Sequence, residues 1–142
     1  MALAFRYINN VHPDLKDEMR YFGKWLRQSY QFPTPLEIRL VCVNRLVDFD
    51  GTKCNLRWWQ NSRWPESFKG EIAVKSFVRN LQKEGPSVAF PTVIAAIGRV
   101  ISYYNQAISD LPASERKATV WGDKLMDSYI KYRDEKIAGK TR

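Results

Sequence analysis

VAFPTVIAAIGRVISYYNQAIS, residues 88–109, carries a single charged side chain, Arg99. A helix this apolar around its whole circumference belongs at the centre of a domain, with other elements covering every face. Pro91 suits the first helical turn, where a missing N–H costs nothing, and Asp110 to Pro112 end the helix. The rest of the chain therefore reads as what surrounds this rod. Downstream, a helix begins near Ser114 with the apolar stripe Ala118, Trp121, Leu125, Tyr129 and Tyr132, and its tail frays from about Lys136. Upstream, residues 76–84 form a short helix that stops at Gly85-Pro86.

Further upstream the periodicity changes from helical to alternating. Residues 71–75, EIAVK, read as a short strand, and a polar loop bearing aromatic residues runs from Gln60 to Lys69. Residues 53–59 read as a strand with Cys54, Leu56 and Trp58 on one face. Residues 36–46 read as another, with Leu36, Ile38, Leu40 and Cys42 on one face and Val41 and Val43 on the other; Asp48, Asp50 and Gly51 supply the turn between the two. Before them, Leu15, Met19, Phe22, Leu26 and Tyr30 make one stripe of an amphipathic helix over 13–30, ended by Pro33 and Pro35. The order predicts an α+β domain: a small antiparallel or mixed sheet of about three strands packed on helices, with the central buried helix at 88–109. The 142 residues suit one domain, with its core at about 13–135.

The chain has 44% hydrophobic and 27% charged residues, an ordinary globular balance. No unbroken apolar run approaches the roughly 18–20 residues that span a bilayer, and MALAFRYINN lacks the pattern of a secretory leader. The expectation is a cytoplasmic protein without membrane contact. The net charge of +8 permits nucleic acid or an acidic partner. The excess is spread along the chain, however: Lys+Arg against Asp+Glu runs 5 to 3 over residues 1–35, 7 to 5 over 36–75, 3 to 2 over 76–110 and 8 to 5 over 111–142. A solvated surface with a positive excess explains it better than a dedicated binding patch.

Histidine is the commonest metal ligand and general base, and only one is present, His12, before Pro13 at the entrance to the first helix, where it reads as a surface residue near the N-cap rather than a ligand or catalyst. The two cysteines, Cys42 and Cys54, are too few for a disulfide framework and read as small buried hydrophobes on neighbouring strands. Glycines never cluster into a phosphate loop, and no Gly-x-Ser-x-Gly elbow occurs. The remaining chemistry-bearing stretch is RWWQNSRW, residues 57–64. Arginines interleaved with tryptophans can stack bases and neutralise phosphates, anchor a protein partner, or pack Trp58 inward with Trp59 and Trp64 covering the core. The candidate binding surface is Arg57, Trp59, Arg63 and Trp64.

Three local stretches resemble a family of small zincin-like metallopeptidases found in bacteria and their phages. EIAVKSFVRNL (71–81) resembles the sheet-edge strand and the helix after it. IGRVISYYNQ (97–106) resembles the active-site helix, where the family reads HExxH followed by an aromatic pair and Gln. SERKATVWGDKL (114–125) resembles the downstream helix, with Glu115 matching a family glutamate. The resemblance spans roughly residues 36–133 and breaks at its most specific motif. Two histidines a turn apart hold Zn²⁺ and the glutamate after the first activates its water. Aligned on Tyr104 and Gln106, this chain has Arg99 and Tyr103 in the histidine positions and Val100 in that of the glutamate. A guanidinium repels a metal and valine moves no proton.

The resemblance thus implies a zincin-like scaffold with no metal, no cofactor and no peptidase activity, working as a binding or regulatory module of phage or prophage type. Its partner would be a protein or peptide added as a strand along an edge at Glu71 and Ala73; a nucleic-acid partner is the alternative. At the former metal position Arg99 either pairs with Glu115 beside Tyr103 or runs its stem along the helix to solvent.

Overall fold

A computed structural model describes residues 3–61, 67–77 and 90–140. The chain folds as β1 (Leu3–Ile8), α1 (Pro13–Ser29), β2 (Leu36–Val41), β3 (Leu46–Val47), β4 (Lys53–Cys54), β5 (Leu56–Asn61), β6 (Ser67–Ala73), the single turn α2 (Val74–Phe77), α3 (Pro91–Ile108) and α4 (Glu115–Lys140). It is an α+β architecture. A mixed four-stranded sheet has the order β1-β2-β6-β5, and β3 and β4 form a separate two-stranded ribbon. In the large sheet β1, β2 and β6 run parallel and β5 runs antiparallel against β6.

Helix α1 forms where its apolar spacing places it. His12 is the N-cap, its Nδ1 accepting from the Asp14 N–H at 3.1 Å, and Pro13 opens the first turn. Leu15, Met19, Phe22 and Leu26 are all fully buried. The helix is the crossover that returns the chain from β1 to the parallel strand β2, a connection too long for a hairpin.

Several boundaries differ from those the sequence predicts. LAFRYI forms β1, which pairs Leu3 with Leu36 through Ile8 with Val41 and extends the core upstream of residue 13. The predicted strand 36–46 ends at Val41, and Leu46 begins the ribbon instead, because the chain must leave the sheet to cross its outer face. The predicted strand 53–59 is divided into β4 and β5. Strand β6 starts at Ser67, inside the predicted loop, and Val74 and Lys75 are already helical. Only Phe77 and its neighbours in α2 represent the predicted helix 76–84; the remainder lies outside the described residues. Helix α4 continues through the expected frayed tail to Lys140.

The sheet has one covered and one open face. Leu36, Ile38, Leu40, Phe68 and Ile72 point to the covered side and are buried. There α3 lies across the strands, and its approach is set by Gly70: a Cβ at that position would sit 2.5 Å from Val100 Cγ1. On the far side of α3 lies α4. A Cβ on Gly98 would stand 2.7 Å from the Gly122 Cα, and one on Gly122 would stand 2.5 Å from the Ala95 carbonyl oxygen. Gly98 and Val100 are two residues apart, so they point to opposite sides of the helix. Helix α3 is therefore the middle layer, as its uniform apolarity requires, and Phe90 in a left-handed conformation (φ 50°, ψ 56°) turns the chain into it.

Helix α4 also reaches α1. The Tyr129 ring packs edge-on against Phe22 at 4.9 Å. Its hydroxyl donates to the Glu18 carboxylate, which is buried, and Arg133 Nε donates to the other oxygen of that carboxylate at 2.8 Å. Glu18 is flanked on the buried stripe of α1 by Leu15 and Phe22, so the phenol and guanidinium supply what water would otherwise provide.

Two outcomes are expected. Gly122→Ala should destabilise the protein by about 1–3 kcal/mol, because a methyl group there meets backbone; at a solvent-facing helix position the same change would stabilise by up to about 1 kcal/mol. The shift in the urea midpoint gives the sign. Burial, reinforced by the bond to Glu18 and its charge, holds the Tyr129 phenol well above its usual range. Below about pH 10 both folded and unfolded states keep this proton. Above it the unfolded chain releases the proton and the native one retains it, so stability should fall as pH rises, by up to about 1.4 kcal/mol per unit. Tyr129→Phe should remove that part of the alkaline slope in urea titrations at stepped pH.

Candidate functional site

The window 99–103 on α3 has three fates. Val100 is fully buried against Gly70 and is a structural wedge between helix and sheet. Tyr103 faces β5, where its ring stacks on Trp58 at 5.1 Å and 20°. Trp58 in turn stacks on Phe68 of β6 at 5.2 Å and 11°. This column of three rings closes the space between α3 and the end of the sheet, and it places Trp58 on the covered side as the packing reading of RWWQNSRW requires. Arg99 lies one turn before Tyr103. Its stem is pressed against the other helix, since a Cβ on Gly122 would meet its Cγ at 3.2 Å, and its Nε is buried without a hydrogen-bond partner.

No ion pair joins Arg99 to Glu115. The pairing expectation is corrected by geometry: Glu115 opens α4 two turns before Gly122 and is exposed, while Gly122 fixes where the Arg99 stem can go. Both charges nevertheless act on the same phenol. Burial raises the Tyr103 pKa, the Glu115 carboxylate raises it further and Arg99 opposes them. Among the described residues, no three His, Cys, Asp or Glu side chains converge as a metal site would need. Cys42 and Cys54 are free, half-buried, and packed in different clusters, Cys42 with the main core and Cys54, on the ribbon strand β4, with Val41, Leu46 and Ala73.

The second cluster lies on the open face. Strand register sets Arg6, Arg39, Glu71 and Arg57 abreast, and in the next row Ala4, Glu37, Lys69 and Trp59. Glu71 accepts from Arg39 Nη1 at 3.4 Å and from Arg57 Nη2 at 3.1 Å. Glu37 pairs with Arg6, with Arg39 Nε at 3.1 Å and with Lys69 at 3.8 Å. The Trp59 ring lies under the guanidinium groups of Arg39 and Arg57, at 5.7 and 5.5 Å, with Phe49 edge-on at 5.6 Å. Arg57 also donates to the Val47 carbonyl of the ribbon, and its Nε is buried without a partner.

The structure thus brings Arg57, Trp59 and Glu71 onto one surface, while Arg63 and Trp64 lie outside the described residues. Trp59 sits on β5, within the strand expected over 53–59. Two expectations are corrected. Residues 71–75 are not a sheet edge, because β6 is paired on both sides, with β2 and β5. Ala73 is fully buried beneath the ribbon with Val41 and Leu46, so a partner strand cannot use it. The strand closing this end of the sheet is β5. The Glu18–Tyr129–Arg133 cluster went unnoticed in the sequence, although a carboxylate set among Leu15, Met19 and Phe22 on one helical stripe is its signature.

Comparison of the chain with protein-family models, curated proteins and solved structures yields no match. Among the described residues, no helix is long and apolar enough to cross a membrane.

Glu71 is the anion on which the open-face network turns. Glu71→Ala should leave two half-buried guanidinium groups side by side without their shared partner, at a cost of about 1–3 kcal/mol after allowance for the exposure of both arginines. Chemical denaturation at low and high salt measures it, and added salt should reduce the deficit.

Proposed function

We propose that this chain is a metal-free binding protein on a zincin-like scaffold, with no peptidase activity, and that its binding cleft lies where the outer edge of β5 meets the face of α3 bearing Arg99 and Tyr103. The observation that carries this reading is the chemistry of that helix face. Two positions one turn apart present a guanidinium and a stacked phenol, and Val100 beside them is committed to Gly70. None of the three can hold a divalent cation or take a proton from its water. Strand addition moves from residues 71–75 to β5. Among the described residues no strand pairs with its outer edge, whose backbone groups are free to bond an extended peptide.

A second reading, nucleic-acid binding, is favoured by the open face. Arg6, Arg39, Arg57 and Lys69 share it with Trp59 and only two carboxylates, Glu37 and Glu71. All four cations already pair with Glu37 or Glu71, and Arg6, whose side chain is 70% exposed, is the one most open to a phosphate.

One experiment separates the readings. Protein purified without chelator should contain zinc far below one ion per chain and should not cleave a quenched extended-peptide library. Members of that library should slow amide exchange along β5. Stoichiometric zinc with cleavage would overturn the first reading. Tight binding of a labelled oligothymidine, steeply weakened by salt and by Arg6→Glu with Lys69→Glu, would instead establish the second.

A further inference from the structure

The turn between α3 and α4 and the first half of α4 enclose an open groove of about 600 Å³, lined on α3 by Ser102, Asn105 and Gln106. Its floor is polar but self-contained. Gln106, buried, donates to Ser102 Oγ at 3.2 Å and accepts from the Ser114 N–H at 2.7 Å, which ties the start of α4 to the end of α3. The floor therefore has little hydrogen-bonding capacity to offer a ligand, and recognition falls to the walls.

The walls carry two kinds of group. Leu111 and Val120 are about half exposed, at 50% and 48%, and with half-buried Trp121 they make an apolar strip along the groove. Ile108, at the end of α3 three residues before Leu111, is exposed at 43% as well. Arg116, Lys117 and Lys124 form the rim. All three are exposed, and among the described residues none takes part in an ion pair. By contrast, Arg6, Arg39, Arg57 and Lys69 on the sheet all have carboxylate partners. Clustered apolar exposure is a feature of interaction sites, and three uncompensated cations around it specify the sign of what arrives. The groove is also fixed in shape, because the backbone contact of Gly98 with Gly122 leaves the helices no room to close it.

We infer that this groove is a docking site for an acidic amphipathic peptide segment of a partner protein. The apolar side chains of such a segment would lie on Val120, Leu111 and Trp121, and its carboxylates would face Arg116, Lys117 and Lys124. This is a helix-in-groove mode, distinct from strand addition at β5. It stands whether or not the β5 reading holds.

The test is fluorescence anisotropy of the full chain with a short labelled peptide alternating Glu-rich and Leu/Phe-rich faces. Lys117→Glu with Lys124→Glu should weaken binding about tenfold or more, as should Val120→Asp, with a tenfold change corresponding to about 1.4 kcal/mol. These side chains are exposed, so thermal melts of the variants should match the parent and exclude misfolding. A control peptide with Leu and Phe replaced by Ser should bind far more weakly. The inference is overturned if the amphipathic peptide does not bind, if either variant binds it as the parent does, or if the all-polar peptide binds equally well. Oligothymidine binding with the same sensitivity to the variants would reassign the groove to a general polyanion site.

Discussion

The close approach of α3 to its two neighbours is the constraint on which the rest of this structure depends. On one side Val100 fills the space above Gly70, and on the other Gly98 meets Gly122 backbone to backbone. Both contacts exist only because three positions lack a side chain, and they lie two residues apart along α3. A helix held this tightly on opposite faces can neither rotate nor slide without a clash. The covered face of the sheet, the position of α4 and the contact of Tyr129 with α1 all follow from it.

That clamp also decides what residues 99–103 can do. Val100 is wholly taken up by packing. Arg99 is held by its stem against α4, and it and Glu115 act on the Tyr103 phenol in opposite directions without forming an ion pair. Tyr103 is fixed by the stack on Trp58, which itself rests on Phe68. In a helix built to hold a metal, the corresponding side chains would converge on a vacant point. Here each is held by its own neighbour, so this face is a rigid wall.

The elements that reveal themselves in the sequence are those whose burial is one-sided and continuous. Helix α1 follows from Leu15, Met19, Phe22 and Leu26, and α3 from its lack of charge, since both patterns answer directly to the solvent each face meets. The strands were less legible. LAFRYI alternates weakly, because Ala4, Arg6 and Ile8 face an exposed surface while Phe5 and Tyr7 are only half-buried. Pairing order is invisible to periodicity. Nothing local to EIAVK says that β2 and β5 flank it, so its role as an edge was misread and Ala73 appeared available. RWWQNSRW announced chemistry correctly for Arg57 and Trp59, but the alternation that sends Trp58 inward and Trp59 outward becomes decisive only once β5 has a partner. The glycines that matter most, Gly70, Gly98 and Gly122, act through distant contacts that a single sequence does not display.

The distribution of compensated charge bears on where this protein meets others. On the sheet face cations and carboxylates are interleaved by strand register, so Arg39 and Arg57 neutralise Glu71, and Trp59 is sheltered beneath them. Such a network rigidifies a surface and lowers its pull on distant ions, because its field largely cancels beyond a Debye length. The α4 rim is different: Arg116, Lys117 and Lys124 are exposed on one helix, and among the described residues none of them is ion-paired. The net charge of +8 is therefore spread evenly in sequence but not in effect. What counts for steering a partner is the charge left uncancelled after folding, and at the α3–α4 turn three such cations stand next to exposed apolar side chains.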